Sequence, residues 1–228
     1  MHRRTVLLVS TILLVGAAWP SRAQQASPPS GTASAAVRAK TCEESFSRSP
    51  TEEFNKKCIA LAGPLAAMRD NTLVIRMDDG SRKTYTTTTD AIDVGAFGYG
   101  LADFYPSLHL FVVCNHRVDD GVCTAVDGRT GRELEFGSAF PHFSPTGRWA
   151  LAEEYGEEEI DNVVVHDTSG KQPVKVWSSK ENKIQLPAKT KFAGWVDDKT
   201  VKLTNADGKP MSIVQAADGR WRISKTPR

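Results

Sequence analysis

The chain lacks the short signatures that assign a reaction. It contains no Gly-x-Ser-x-Gly elbow, no Ser-x-x-Lys and no His-Glu-x-x-His, so neither a strand-borne serine nucleophile nor a helical zinc pair is encoded in a known form. A loop of the Asp-x-Asp-x-Asp-Gly type, which would gather calcium ligands, is missing too. Positive charge is scarce once the first residues are set aside. The 29 Lys and Arg include Arg3, Arg4 and Arg22, and without these three there are 26 bases against 27 acids. The remainder carries a net charge of about −1 and no Lys/Arg block interleaved with aromatics, which argues against nucleic acid as a partner. Past residue 23 no apolar run approaches the roughly 20 residues that a helical membrane span needs.

The first residues do carry a signal. His2, Arg3 and Arg4 form a basic start, residues 6–15 are apolar apart from Ser10 and Thr11, and Ser21-Arg22-Ala23 places small residues where a signal peptidase cuts. Residues 1–23 are therefore expected to be a cleaved secretory signal. The first cysteine beyond it, Cys42, is too distant for lipid attachment, so no membrane anchor is expected after cleavage. The expected compartment is the periplasm or the exterior. Residues 24–40, rich in Ala, Ser, Pro and Gly, hold too little apolar surface to offset their ordering entropy and are expected to be a disordered linker. Residues 41–228 form the expected folded domain.

One helix is expected, over about residues 50–62. Ser49-Pro50-Thr51-Glu52 is a capping box with proline at the first turn, and Gly63-Pro64 is a stop. Phe54, Cys58 and Leu61 would share its apolar face. From Asn71 onward the period changes to that of short strands at 72–77, 83–88, 108–115, 122–126, 149–153, 163–166, 174–177, 200–204, 211–215 and 221–223, with Gly-containing turns between them. The turns repeat. Ala125-Val126-Asp127-Gly128-Arg129-Thr130-Gly131 is echoed by Val165-His166-Asp167-Thr168-Ser169-Gly170, and more faintly around Asp79-Gly80 and Asp218-Gly219. The spacing of roughly 40–50 residues is that of a four-stranded propeller blade. The expected fold is all-β, a propeller-like array of antiparallel sheets with one short N-terminal helix.

Phe143-Ser144-Pro145-Thr146-Gly147-Arg148-Trp149, followed by Val163-Val164-Val165-His166-Asp167-Thr168-Ser169-Gly170-Lys171, resembles the repeat of WD-repeat-like periplasmic β-propellers of the Tol-system type. That repeat usually has Asp where Thr146 stands. The resemblance implies a propeller-like fold and the binding of proteins or peptides, and it carries over no catalytic residue. Four units fit the chain, the lower limit for closure, so a closed ring and an incomplete one both remain open.

Four cysteines in an exported chain predict two disulfides. The local pairing joins Cys42 to Cys58 and Cys114 to Cys123. The second bond requires a loop over about residues 117–120 that sets Cys114 opposite Cys123, since a tight turn at Asp120-Gly121 would hold the two apart. The spacing of Cys114, His116 and Cys123 matches no structural zinc pattern, and no metal or cofactor is expected.

His109, His116, His142 and His166 sit in no ligand or nucleophile motif. Two stretches are candidates for binding. Glu153, Glu154, Glu157 and Glu158 crowd a hairpin tip, readable as a docking loop, a weak calcium site or a solvated turn. Phe97, Tyr99, Phe104 and Tyr105 alternate with glycines in a segment that reads either as a contact patch or as a bulged edge strand. Trp149, Trp177, Trp195 and Trp221 are expected between sheets. The expected function is that of an exported, non-enzymatic module binding another envelope or secreted protein or peptide, as scaffold, inhibitor or immunity protein. The alternative is an envelope hydrolase acting on cell-wall or carbohydrate material, with Asp103, Glu153 or Glu154 as its acids.

Overall fold

The computed structural model describes residues 42, 52–87, 98–116, 121–156 and 160–224. The side chains of residues 52–54 and 116 are outside that description. So are the expected signal and linker, Phe97, Glu157 and Glu158.

Among the described residues, a helix, Glu52–Ala62 (α1), leads through a short 3₁₀ turn into fifteen strands grouped in four sheets. The first sheet has three strands, Ala66–Arg69 (β1), Thr72–Arg76 (β2) and Arg82–Thr86 (β3). The second is Gly98–Tyr105 (β4), Leu110–His116 (β5), Val122–Asp127 (β6) and Glu133–Glu135 (β7). The third is Phe140–Phe143 (β8), Trp149–Tyr155 (β9), Ile160–Asp167 (β10) and Val174–Ser178 (β11). The fourth is Lys191–Asp197 (β12), Thr200–Thr204 (β13), Pro210–Gln215 (β14) and Trp221–Ser224 (β15). Every strand pairs antiparallel with its chain neighbours inside its own sheet. This is an all-β, propeller-like array of meanders.

The sequence repeat and the sheet are the same unit. Gly80, Gly131, Gly170 and Gly219 each lie in the turn before the last strand of a sheet. The aspartate that opens the turn folds back on the backbone in all four. Asp79, Asp127, Asp167 and Asp218 accept from the N–H groups of Ser81, Arg129, Ser169 and Arg220 at 2.8, 2.9, 2.9 and 3.1 Å. Aspartate recurs because its short carboxylate can accept from its own chain two residues on. In this frame the first sheet has, among the described residues, its second, third and fourth strands and no first. Helix α1 packs instead against β4: Cys58 lies against the Ala102 carbonyl, and a Cβ on Gly100 would meet Asn55 Oδ1 at 2.5 Å.

Strand alternation sends side chains to two faces, and this builds three apolar layers between successive sheets. Leu73 and Ile75 pack with Leu101, Phe111 and Val113 between the first and second. Leu110, Val112 and Ala125 meet Phe140, Ala150 and Ala152 between the second and third. Trp149, Leu151, Val163 and Val165 meet Val201, Leu203, Ile213 and Trp221 between the third and fourth. Trp177 belongs to the same layer, and Trp195 packs at its edge. The four tryptophans are inter-sheet core, as expected. No layer among the described residues joins the fourth sheet to the first.

Both disulfides form in the expected pairing, Cys42–Cys58 and Cys114–Cys123, with Cα separations of 5.2 and 4.1 Å. Cys114 and Cys123 are direct cross-strand partners, flanked by Asn115 and Val122, a register that a tight turn centred on Asp120-Gly121 would not give; the loop residues 117–120 themselves lie outside the described residues.

The helix face needs correction. Leu61 is 46% exposed, whereas Cys58 and Ala62 are buried. The helix therefore seats itself through the i, i+4 pair, one of whose members the disulfide holds down. The strands not anticipated from sequence are β1, β7, β8 and β12, while β4 is the bulged edge strand, one of the two readings of its segment. Strand β8 is buried on both faces and shows no alternation, while β4 and β12 are broken by bulges and glycines.

Candidate functional site

Each sheet after the first contributes its opening strand to one place. Asp103 comes from β4, His142 from β8, Phe192 and Trp195 from β12, and Glu153 joins them from β9. Asp103 and His142 are 0% exposed and Glu153 is 3% exposed. His142 Nε2 lies 3.2 Å from Glu153 Oε2. On its flat side the imidazole stacks on Phe192, 3.9 Å between centroids and 11° between planes. The edge of Phe140 closes another side at 5.1 Å.

The hydrogen bonds around this group tie the sheets together. Glu153 Oε1 accepts from the Phe192 N–H at 3.1 Å, and Oε2 accepts from the Tyr155 hydroxyl at 2.9 Å. Trp195 Nε1–H donates to the His142 carbonyl at 2.9 Å. Asp103 Oδ1 accepts from the Phe104 N–H at 2.8 Å and from the Cys42 N–H at 3.3 Å. The first disulfide is thus anchored on the same carboxylate.

Burial acts differently on the two acids. For Glu153 it raises the pKa, but the His142 charge beside it and the hydrogen bonds from His142, Tyr155 and Phe192 more than offset this, and its carboxyl stays below the usual range. For Asp103 burial dominates. Hydrogen bonds from Phe104, Tyr105 and Cys42 and the His142 charge recover only part of the desolvation cost, and its carboxyl is pushed up. A carboxylate, an imidazole and a second carboxyl of raised pKa are a chemically competent acid–base set. Sealed at 0–3% exposure, Glu153 faces His142 and the Phe192 N–H, and Asp103 faces the Phe104 and Cys42 N–H groups.

The acids read from sequence separate accordingly. Glu153 is in the interior, while Glu154 is exposed and accepts from Asn162 Nδ2 at 2.8 Å. Tyr155 exposes half its surface beside them. The glycine-interleaved stretch is the bulged edge strand β4, with the irregularity between Leu101 and Asp103. Phe104 is core, stacked on Phe111 at 4.7 Å. Tyr99 is half-buried against Tyr85, and Tyr105 half-buried against Phe143. These three aromatics point into layers rather than forming one surface.

His142 was not singled out from sequence. The available signal was its place in Phe140-Pro141-His142-Phe143, an apolar run in which a titratable ring has to find a buried partner. A second histidine pair links the first two sheets: His109 Nδ1 lies 2.9 Å from Asp78 Oδ1, and the Gly128 N–H donates to the His109 carbonyl at 2.8 Å. Among the described residues no group of three or more His, Cys, Asp or Glu is arranged to hold a metal ion. Two disulfides are the mark of an oxidising, non-cytoplasmic compartment, and no described helix is long and apolar enough to cross a membrane. No protein-family model matches the chain, and no curated protein sequence is similar to it.

Proposed function

We propose that this protein is an exported, non-enzymatic module of the bacterial envelope, periplasmic or secreted, that binds another protein or peptide. The observation that carries the reading is the sealing of Asp103, His142 and Glu153: this buried acid–base group is used to join sheets, leaving the surfaces of a rigid array for recognition. The repeated Asp-Gly turns and the Phe143–Trp149 segment support a WD-repeat-like unit, whose type of fold displays loops and sheet faces to partners. The leader-like residues 1–23 and the two disulfides support export.

The test is chemical cross-linking in intact cells at native expression level, followed by purification under denaturing conditions. A binding module yields a discrete, saturable partner. Its capture should survive Asp103→Asn and fail when exposed residues of the contact face are changed. Absence of any saturable partner would sink the reading. A second reading, an envelope hydrolase acting on cell-wall or carbohydrate material, is favoured by the assembly of Asp103, His142 and Glu153 with Asp103 of raised pKa. It requires an opening to those residues, and it predicts release of soluble fragments from purified wall material that Asp103→Asn abolishes.

A further inference from the structure

The outward face of the first sheet differs in charge from the chain as a whole. The fourteen residues of β1, β2 and β3 include Arg69, Arg76, Arg82 and Lys83 and no acid. Lys83 turns toward the second sheet, where it pairs with Glu133 at 3.0 Å. The three arginines face the other way, are exposed, and have no ion-pair partner among the described residues.

The register arranges this face in rows. Arg69 lies beside Thr72 and Thr86, Ala67 beside Val74 and Thr84, and Arg76 beside Arg82. Thr72 and Thr86 touch through their hydroxyls at 3.0 Å. Guanidinium groups thus stand at both ends of a strip whose middle is a half-buried Ala67–Val74 pair edged by threonine hydroxyls. Along β2 the ends are four residues apart, about 13 Å at strand rise.

We propose that this face docks an extended acidic segment of a partner protein. The proposal rests on the binding-module reading above and names the chemistry of its partner. Charge complementarity selects an anion, because the three guanidinium forks lie on strands that carry no acid, and the carboxylates of the adjoining turns, Asp70, Asp78 and Asp79, make no ion pair with them among the described residues. The spacing selects a polypeptide: an extended chain carrying carboxylates four residues apart places them over Arg69 and over the Arg76–Arg82 pair, with its intervening side chains on Val74 and Ala67. The face has no aromatic platform for stacking bases.

The test uses the disulfide-intact protein and a fluorescent synthetic peptide, rich in Thr and Val, with two Glu residues four positions apart. Fluorescence anisotropy should show binding that weakens as salt rises from about 50 to about 300 mM. Arg69→Glu/Arg76→Glu/Arg82→Glu should weaken it at least about tenfold, while Lys191→Glu/Lys202→Glu on the fourth sheet should leave it unchanged. If the triple variant does not fold, the three single Arg→Gln variants replace it, each expected to weaken binding by about two- to fivefold. Bound peptide should also slow amide exchange in residues 66–86. Equal binding of the Gln-for-Glu peptide, or tighter binding of a sulfated polysaccharide lost in the same variants, would overturn the proposal. So would unchanged peptide binding in the triple variant. If the cellular partner is still captured by that variant, the binding-module reading stands and only this face is excluded; if no partner is captured at all, the parent reading fails.

Discussion

Glu153→Gln tests what the buried group contributes. Glutamine keeps the shape and an oxygen for the Phe192 N–H, but it removes the charge that faces His142 at 3.2 Å where both side chains are sealed. Breaking one partner of a buried pair costs about 3–5 kcal/mol when the remaining charge stays uncompensated. Loss of a charge-assisted hydrogen bond alone costs about 1.5–3 kcal/mol. The expected destabilisation at pH 7 is therefore about 2–4 kcal/mol. With a urea slope of about 2 kcal/mol per molar, the midpoint falls by about 1–2 M. The pH dependence supplies the sign. Because the folded pKa of Glu153 lies below its ordinary value, its contribution is complete above that ordinary value and disappears as pH falls through the folded one. The gap between wild type and variant should narrow from pH 7 to about pH 3. A gap under about 0.5 kcal/mol at pH 7, or one that widens on acidification, would refute the assignment.

Asp103→Asn should behave in the opposite sense. The folded pKa of Asp103 is raised, so its stabilisation is full below the ordinary aspartate value and is lost as pH rises through the folded one. In urea titrations the variant should therefore gain on wild type between about pH 3 and pH 8. Gly147→Ala meets both a left-handed backbone, φ +72°, and Leu108 at 3.1 Å; a loss of about 1–2 kcal/mol in thermal unfolding is expected. Removing Cys114 and Cys123 together should cost no more than about 2–3 kcal/mol, since the loop they close is short, and non-reducing peptide mapping should recover Cys42 with Cys58 and Cys114 with Cys123. Intact mass of protein from the native envelope should show a chain beginning near Gln24, and retention of residues 1–23 would contradict the export assignment.

The fold was legible where one residue type meets a demand that little else can. Aspartate and glycine mark the last turn of every sheet because that turn needs a carboxylate reaching two residues on and a backbone that tolerates positive φ at Gly80, Gly131 and Gly219. The Thr200–Thr204 strand could be read to the residue because it alternates cleanly between a buried and a solvated face. Strand β8 could not, since two-sided burial erases alternation. The site was legible in its parts only. Asp103 and Glu153 could be named as acids from sequence, but they lie fifty residues apart on different sheets. Their meeting through His142 depends on how sheets stack, which no local pattern encodes. The cationic face of the first sheet was hidden by the near-neutral total charge, because Arg69, Arg76 and Arg82 become one surface only through the register of three strands.

The division of labour between interior and surface is tested most directly by wild type and Asp103→Asn side by side, scoring cross-linked partner in cells and soluble fragments released from purified wall material. A binding module gives equal partner capture by both proteins and no release by either. Release by wild type that is abolished in Asp103→Asn would contradict it, and would make the buried carboxyl a catalytic group.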